Sequence, residues 1–283
     1  MSTTSPTQPR PATTRPPDDS TSPEATVTSQ AFGHVLRAEW IKFRTVRSTS
    51  WSLVALVVLG VGLTALVCAT SADWLASSDA DESPASFVTW GMMIAQVTAV
   101  VLGGLIVTAE YGTGMIRSTF GAVPRRGRVI LAKVTVLSAV LLVAGTVTAF
   151  VGYFAGNWFL DRAGVGVPLD GDGVLRSLFG NGLYLAVLGL LTLGVGLLVR
   201  HTAAALSIVL GLIFVVGNMA FLLPGTWGEW VAKLLPGNAG SGIVTPVNFN
   251  PEALAPWAGF GVFAAEAAVV LVIGWLVVQR RDA

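Results

Sequence analysis

The chain has 283 residues, of which 53% are apolar and 12% charged, against roughly 25% charged in ordinary soluble domains. That composition excludes a soluble globular domain and points to a membrane protein, and a net charge of +1 supplies no global basic field of the kind that argues for nucleic acid. One cysteine, Cys68, and two histidines, His34 and His201, exclude an internal disulfide framework and leave a metal centre without ligands, so neither metal nor cofactor is expected.

Residues 1–30 hold six prolines and thirteen serines or threonines with almost no aliphatic side chains. Such a segment cannot bury enough apolar surface to offset the entropy of ordering, and it reads as a disordered cytoplasmic tail. It holds no apolar core of the signal-peptide type, so the first true span is expected to act as its own anchor.

Residues 31–49 change character. At about 100° per residue Phe32, Val35, Leu36, Trp40, Phe43 and Val46 share one stripe, with Lys42 and Arg47 at its edges and Arg37 and Arg44 opposite. This predicts an amphipathic helix lying in the interface, its basic residues reaching lipid phosphates. Glu39 breaks the pattern by pointing into the apolar stripe. It either pairs with Lys42 one turn on or contacts another part of the protein.

Six apolar runs follow, at about 51–70, 87–109, 129–156, 175–199, 202–223 and 258–278. Each is long enough for a hydrocarbon core of roughly 30 Å. The predicted fold is therefore an all-α polytopic membrane protein, six transmembrane helices over 50–280 preceded by the amphipathic interfacial helix. Fourteen of the seventeen Lys and Arg residues fall in the N-terminal region, the 110–128 segment with the start of the third span, Arg200 and the C-terminus, and three (Arg162, Arg176, Lys233) on the other side. By the positive-inside rule both termini are expected in the cytoplasm, with the chain in the plasma membrane.

Gly189, Gly194 and Gly196 enrich the fourth span in small residues that let helices approach closely. Polar groups at membrane depth are few: Gln96 and Asn218, expected to hydrogen-bond between helices, and Glu266, about nine residues into the last span. All three are candidate pathway groups, and Glu266 reads equally as a structural, protonated or hydrogen-bonded carboxyl. The outer segment 224–257 carries Trp227, Trp230, Trp257 and five prolines. It reads as re-entrant or interfacial structure capping that face, or as an ordinary ordered loop.

Between the second and third spans lies 110–128, reading EYGTGMIRSTFGAVPRRGR and then VILAK to Lys133. Gly112 and Gly114 break the end of the span, Met115 to Ala122 can form two short helical turns, and Pro124 stops them. Arg125, Arg126, Arg128 and Lys133 then anchor the third span. The cations alone read as a positive-inside anchor, whereas Glu110 among them argues for an organised ion pair. Short helices held between two spans can pass a push from a soluble partner to the membrane.

The interfacial RAEWIKFRTVRSTSW, the six spans, this loop and the outer LLPGNAG, in this order and spacing over residues 34–280, resemble the type-2 ABC-transporter permeases of the kind common in actinobacteria. The resemblance implies that Glu110, Gly112, Thr113 and Gly114, with Tyr111 and Arg117 beside them, form the coupling region that docks in a cleft of a cytoplasmic ATP-binding subunit. It implies that the basic helix around Glu39, Trp40, Lys42, Arg44 and Arg47 lies at the membrane surface beside it. Small external helices within 224–257, where Pro236 and Ala239 match the family's Leu-Pro-x-x-Ala pattern, would close the outer end of the pathway. No Gly-x-x-x-x-Gly-Lys-Ser/Thr loop occurs in the chain, so ATP hydrolysis is expected from a separate chain rather than from this one. Six spans make half a pathway in that family, which implies a homodimer. A pathway of Ala, Val, Leu, Gly and Thr suits export of a hydrophobic or amphipathic compound such as an antibiotic, lipid or peptide. The alternative is a non-transporting membrane scaffold or signalling protein; an intramembrane hydrolase is disfavoured because His201 sits in a short turn with no acid near it in sequence.

Overall fold

In a bilayer the backbone must satisfy its own hydrogen bonds, which favours helices over every long apolar run. The computed structural model describes residues 32–115, 126–219, 222, 224–247 and 253–281, and every regular element among them is a helix. The expected tail over 1–30, the helical turns beyond Met115, Pro124, Arg117, Arg125 and the side chain of Arg126 lie outside the described residues.

Among the described residues six helices are long and apolar enough to cross a membrane: α2 (Arg47–Leu75), α3 (Met92–Gly112), α4 (Arg126–Arg162), α5 (Val174–Val199), α6 (Thr202–Met219) and α9 (Pro256–Arg281). Before them lies α1 (Phe32–Thr45), and between α6 and α9 lie α7 (Gly225–Leu234) and α8 (Pro236–Val244). The chain is an all-α polytopic membrane protein.

Helix ends differ from the apolar runs where side chains, not hydropathy, decide them. The interfacial helix stops at Thr45, because Val46 takes an extended conformation (φ −79°, ψ 117°), and α2 already starts at Arg47. Arg47 therefore belongs to the first spanning helix. The second begins at Met92 rather than Phe87, since Gly91 lodges against α2 and donates its N–H to Thr64 Oγ1 at 3.0 Å. The third continues to Arg162, whose guanidinium covers the Trp158 ring at 3.7 Å one turn back. α6 contains a π-helical stretch, Gly211–Val216.

The most buried span is α5, against which α3, α4, α8 and α9 all pack. Its glycines make this possible. A Cβ on Gly103 of α3 would collide with the Gly189 carbonyl, and Gly194 of α5 faces Gly274 of α9, where a Cβ would sit 2.9 Å from the Gly194 oxygen. Such close approach replaces the hydrophobic drive that is absent between helices in lipid.

At the end of the bundle away from α1, α8 is drawn into the packing between α5 and α9, with Ala239, Gly240, Gly242 and Ile243 buried. Carbonyls that its last turn leaves free are taken by other elements. Thr89 Oγ1 and Asn181 Nδ2 both donate to Val244 O at 3.2 Å, and Arg176 Nη2 donates to Thr245 O at 2.8 Å. The neighbouring α7 stays peripheral, with Trp227 83% exposed.

Candidate functional site

The opposite end, where α1 meets the tips of α3 and α4, holds the described charges that are most deeply buried. Glu39 is 4% exposed, Glu110 7% and Lys133 2%. Glu39 occupies the apolar stripe of α1 between Val35 and Phe43, all three buried. Glu110 lies on the last turn of α3, one turn beyond Ile106, and Lys133 lies two turns into α4.

These residues close a quartet with Lys42. Lys133 Nζ donates to Glu39 Oε2 at 2.8 Å, to Glu110 Oε1 at 2.7 Å and to the Ile106 carbonyl at 3.2 Å. All three of its hydrogens are used. Lys42 Nζ donates to Glu39 Oε1 and Glu110 Oε1, both at 3.0 Å, and its side chain is partly exposed. The two carboxylates and two ammonium groups balance in charge. Isolated, any one would be costly to bury; together they tie three helices to one point. Burial pulls the Lys42 ammonium down in pKa, while Glu39 and Glu110 push it up by more, so it stays charged above its ordinary range.

Glu39 thus does both things open to it in sequence, pairing with Lys42 and reaching another helix. Lys133, expected as a headgroup anchor, is instead buried in the quartet. The signal for this lies in its neighbours: Val129, Ile130 and Ala132 are all buried, so the face of α4 presented here is turned into the protein.

Around the quartet the remaining expected residues are spread. Tyr111 receives the Arg200 guanidinium over its ring, 5.1 Å from the centroid, and Thr108 shares a 2.7 Å hydrogen bond with Thr202. Arg200, counted in sequence only as a charge, ends α5 in a left-handed conformation (φ 57°) and so turns the chain into α6. His201 caps α6, its Nδ1 accepting from the Ala204 N–H at 3.4 Å. Gly112, Thr113 and Gly114 follow at the exposed tip of α3, where Gly114 takes φ 73°. Trp40, Arg44, Arg47 and Arg128 do not enter the quartet, and Trp40 instead stacks on Phe43 at 6.4 Å. A recess of about 290 Å³ opens beside the quartet, walled by Phe43, Val46, Leu102 and Ile106. Glu110 Oε2 is buried here without a hydrogen-bond partner.

Neither protein-family models nor curated proteins match this chain.

The three polar residues singled out in sequence at membrane depth fare differently. Gln96 links helices, its Oε1 accepting from the Tyr184 hydroxyl at 2.8 Å. Asn218 does not: its Nδ2 donates to Phe214 O of its own helix at 2.9 Å, because the exposed amide has a local carbonyl within reach. Glu266 is half-buried in α9, and its Oε2 has no hydrogen-bond partner.

Proposed function

We propose that the chain is the membrane-spanning permease subunit of an ABC transporter. It works as one of two copies in the plasma membrane, is driven by separate cytoplasmic ATP-binding subunits, and exports a hydrophobic or amphipathic compound. The observation that carries this reading is the buried Glu39–Lys42–Glu110–Lys133 quartet.

A subunit moved by a partner needs its receiving segment attached to the helices that must move. Residues 113–125 join α3 to α4, and the quartet clamps the tips of both helices to α1 immediately behind that segment. A push from an ATPase that closes on ATP would move α1, α3 and α4 together. Since α3 and α4 both pack on α5, the displacement would re-sort the helices around it between discrete states. The apolar, glycine-rich seams suit sliding between such packings. In this orientation the quartet end faces the cytoplasm, in line with the charge asymmetry of the sequence. The order of the sequence motifs, which resembles that of the type-2 permeases, supports the same assignment.

Glu110→Gln tests it. The amide keeps the shape of the side chain and removes the charge that both lysines share. In the complex with its ATPase, permease-stimulated ATP hydrolysis is expected to fall about fivefold or more, with insertion into the membrane retained. A folded, inserted Glu110→Gln chain that couples like the wild type would remove the argument.

A further inference from the structure

At the end of the bundle away from the quartet a cleft of about 470 Å³ lies between the start of α3, α5, α6 and α8. Its volume falls within the range of small-molecule sites. The π-helical stretch of α6 supplies Ile213 and Phe214 to its lining, and π-turns recur at functional sites.

Two asparagines of the lining have spent their donors. Asn181 gives its two amide hydrogens to Ser177 O and Val244 O, and Asn238 gives its two to Gly217 O and Ala232 O. Because all four partners are carbonyls, these amides cannot be flipped. What each has left is a carbonyl oxygen. The hydroxyl hydrogens of Thr89, Ser241 and Tyr184 are likewise committed, to Val244 O, Asn238 O and Gln96 Oε1. Both asparagines are therefore left as acceptors, while Ser86 Oγ, which has no partner, and the second amide hydrogens of Gln96 and Asn218 remain as donors in the same lining.

Charge sides with the acceptors. Among the described residues Glu82 is the only ionisable acid in the lining, and no Lys, Arg or His lines the cleft. The helix ends and connections at this end add Asp73, Asp79, Asp81, Asp161, Asp170, Asp172 and Glu229 against Arg162, Arg176 and Lys233. An acidic mouth raises the local concentration of cations. Phe87, Trp90 and Phe214 complete the walls, and aromatic faces attract ammonium groups while packing an apolar body.

We propose that this cleft binds a hydrogen-bond-donating cationic amphiphile: a primary or secondary ammonium on an apolar body, its N–H groups received by the Asn181 and Asn238 carbonyl oxygens. That this ligand is the cargo rests on the transporter reading; that it binds does not.

The test uses the full chain in phosphatidylcholine nanodiscs with tritiated octylamine near neutral pH, competed by unlabelled octylamine, octyltrimethylammonium, octanol and octanoate. The four share a tail and differ in head. Octylamine is expected to compete best, octyltrimethylammonium, which has no N–H, less well, and octanol and octanoate least. Ser241→Trp, placed at an exposed position of α8 to fill the cleft, is expected to weaken binding about tenfold or more. Glu82→Lys is expected to weaken it by up to about fivefold. Both variants should melt as the wild type does. Octanol or octanoate competing as well as octylamine, or full binding by a stably folded Ser241→Trp chain, would overturn the proposal. Equal competition by octyltrimethylammonium would overturn its donor requirement. The assay needs neither ATP nor a partner, so lost binding with intact ATPase coupling would count against the cleft alone. Lost coupling with intact binding would count against the transporter reading alone.

Discussion

Replacing Lys133 by methionine is the most informative single change. The thioether fills nearly the same volume but supplies none of the three hydrogen bonds that Lys133 Nζ makes. It leaves Glu39 and Glu110, 4% and 7% exposed, to share one partly exposed Lys42, so the site carries a net negative charge on two almost wholly buried carboxylates. Breaking a buried pair in this way costs about 3–5 kcal/mol. For a chain of this size that corresponds to a melting temperature lower by roughly 6–20 °C. Glu39→Gln in the same chain restores neutrality, and the double variant should recover at least about half of that loss. Thermal denaturation of the four chains in a mild detergent gives the coupling directly, and hydrogen exchange along α1 should show the helix loosened in Lys133→Met alone. A loss under about 1 kcal/mol in the single variant, or a double variant no more stable than the single, would refute the reasoning.

Other expectations follow from separate features. The Lys42 ammonium is held above its ordinary pKa of 10.5. Its contribution to stability is therefore complete below that value and lost only as pH rises through the folded-state value; Lys42→Met should remove this alkaline loss, as read by pH-dependent melting. Gly103→Leu should drive α3 from α5 at the Gly189 carbonyl and cost about 1–3 kcal/mol or more, seen as a lower melting temperature. Tyr184→Phe leaves the buried Gln96 carbonyl without its donor and should cost about 1–3 kcal/mol by the same measurement. A neutral result there would show that another group takes the place of the hydroxyl.

The six spans were legible because an apolar run of their length has few alternatives to a helix in lipid. Their ends were less so. Polar Arg47, Ser48 and Thr49 extend α2 beyond its apolar part, and Gly91 delays α3 by packing against α2, neither of which hydropathy registers. Glu39 was conspicuous as an acid in an apolar stripe. Its partner Lys133 was not, since the two are 94 residues apart and a lysine beside three arginines reads as an anchor. The burial of α8 was hidden for a related reason: Gly237, Asn238, Gly240 and Ser241 give it the composition of a loop, and it is the packing of Gly237 on Ile213 and of Gly240 on Tyr184 and Phe263 that draws the helix inward. Asn218 misled because the expectation of an interhelical bond ignores a carbonyl four residues back. Nothing in the residues of 211–216 announces the π-helical stretch.

Purification of the tagged chain from its native membranes in a gentle detergent, with identification of the co-purifying proteins and an assay of ATP hydrolysis, tests the central claim most directly. The transporter reading predicts a stoichiometric P-loop ATPase whose association or activity falls in Glu110→Gln. A folded chain that repeatedly emerges alone and without ATPase activity, in a detergent that preserves such complexes, would contradict it and favour a membrane scaffold.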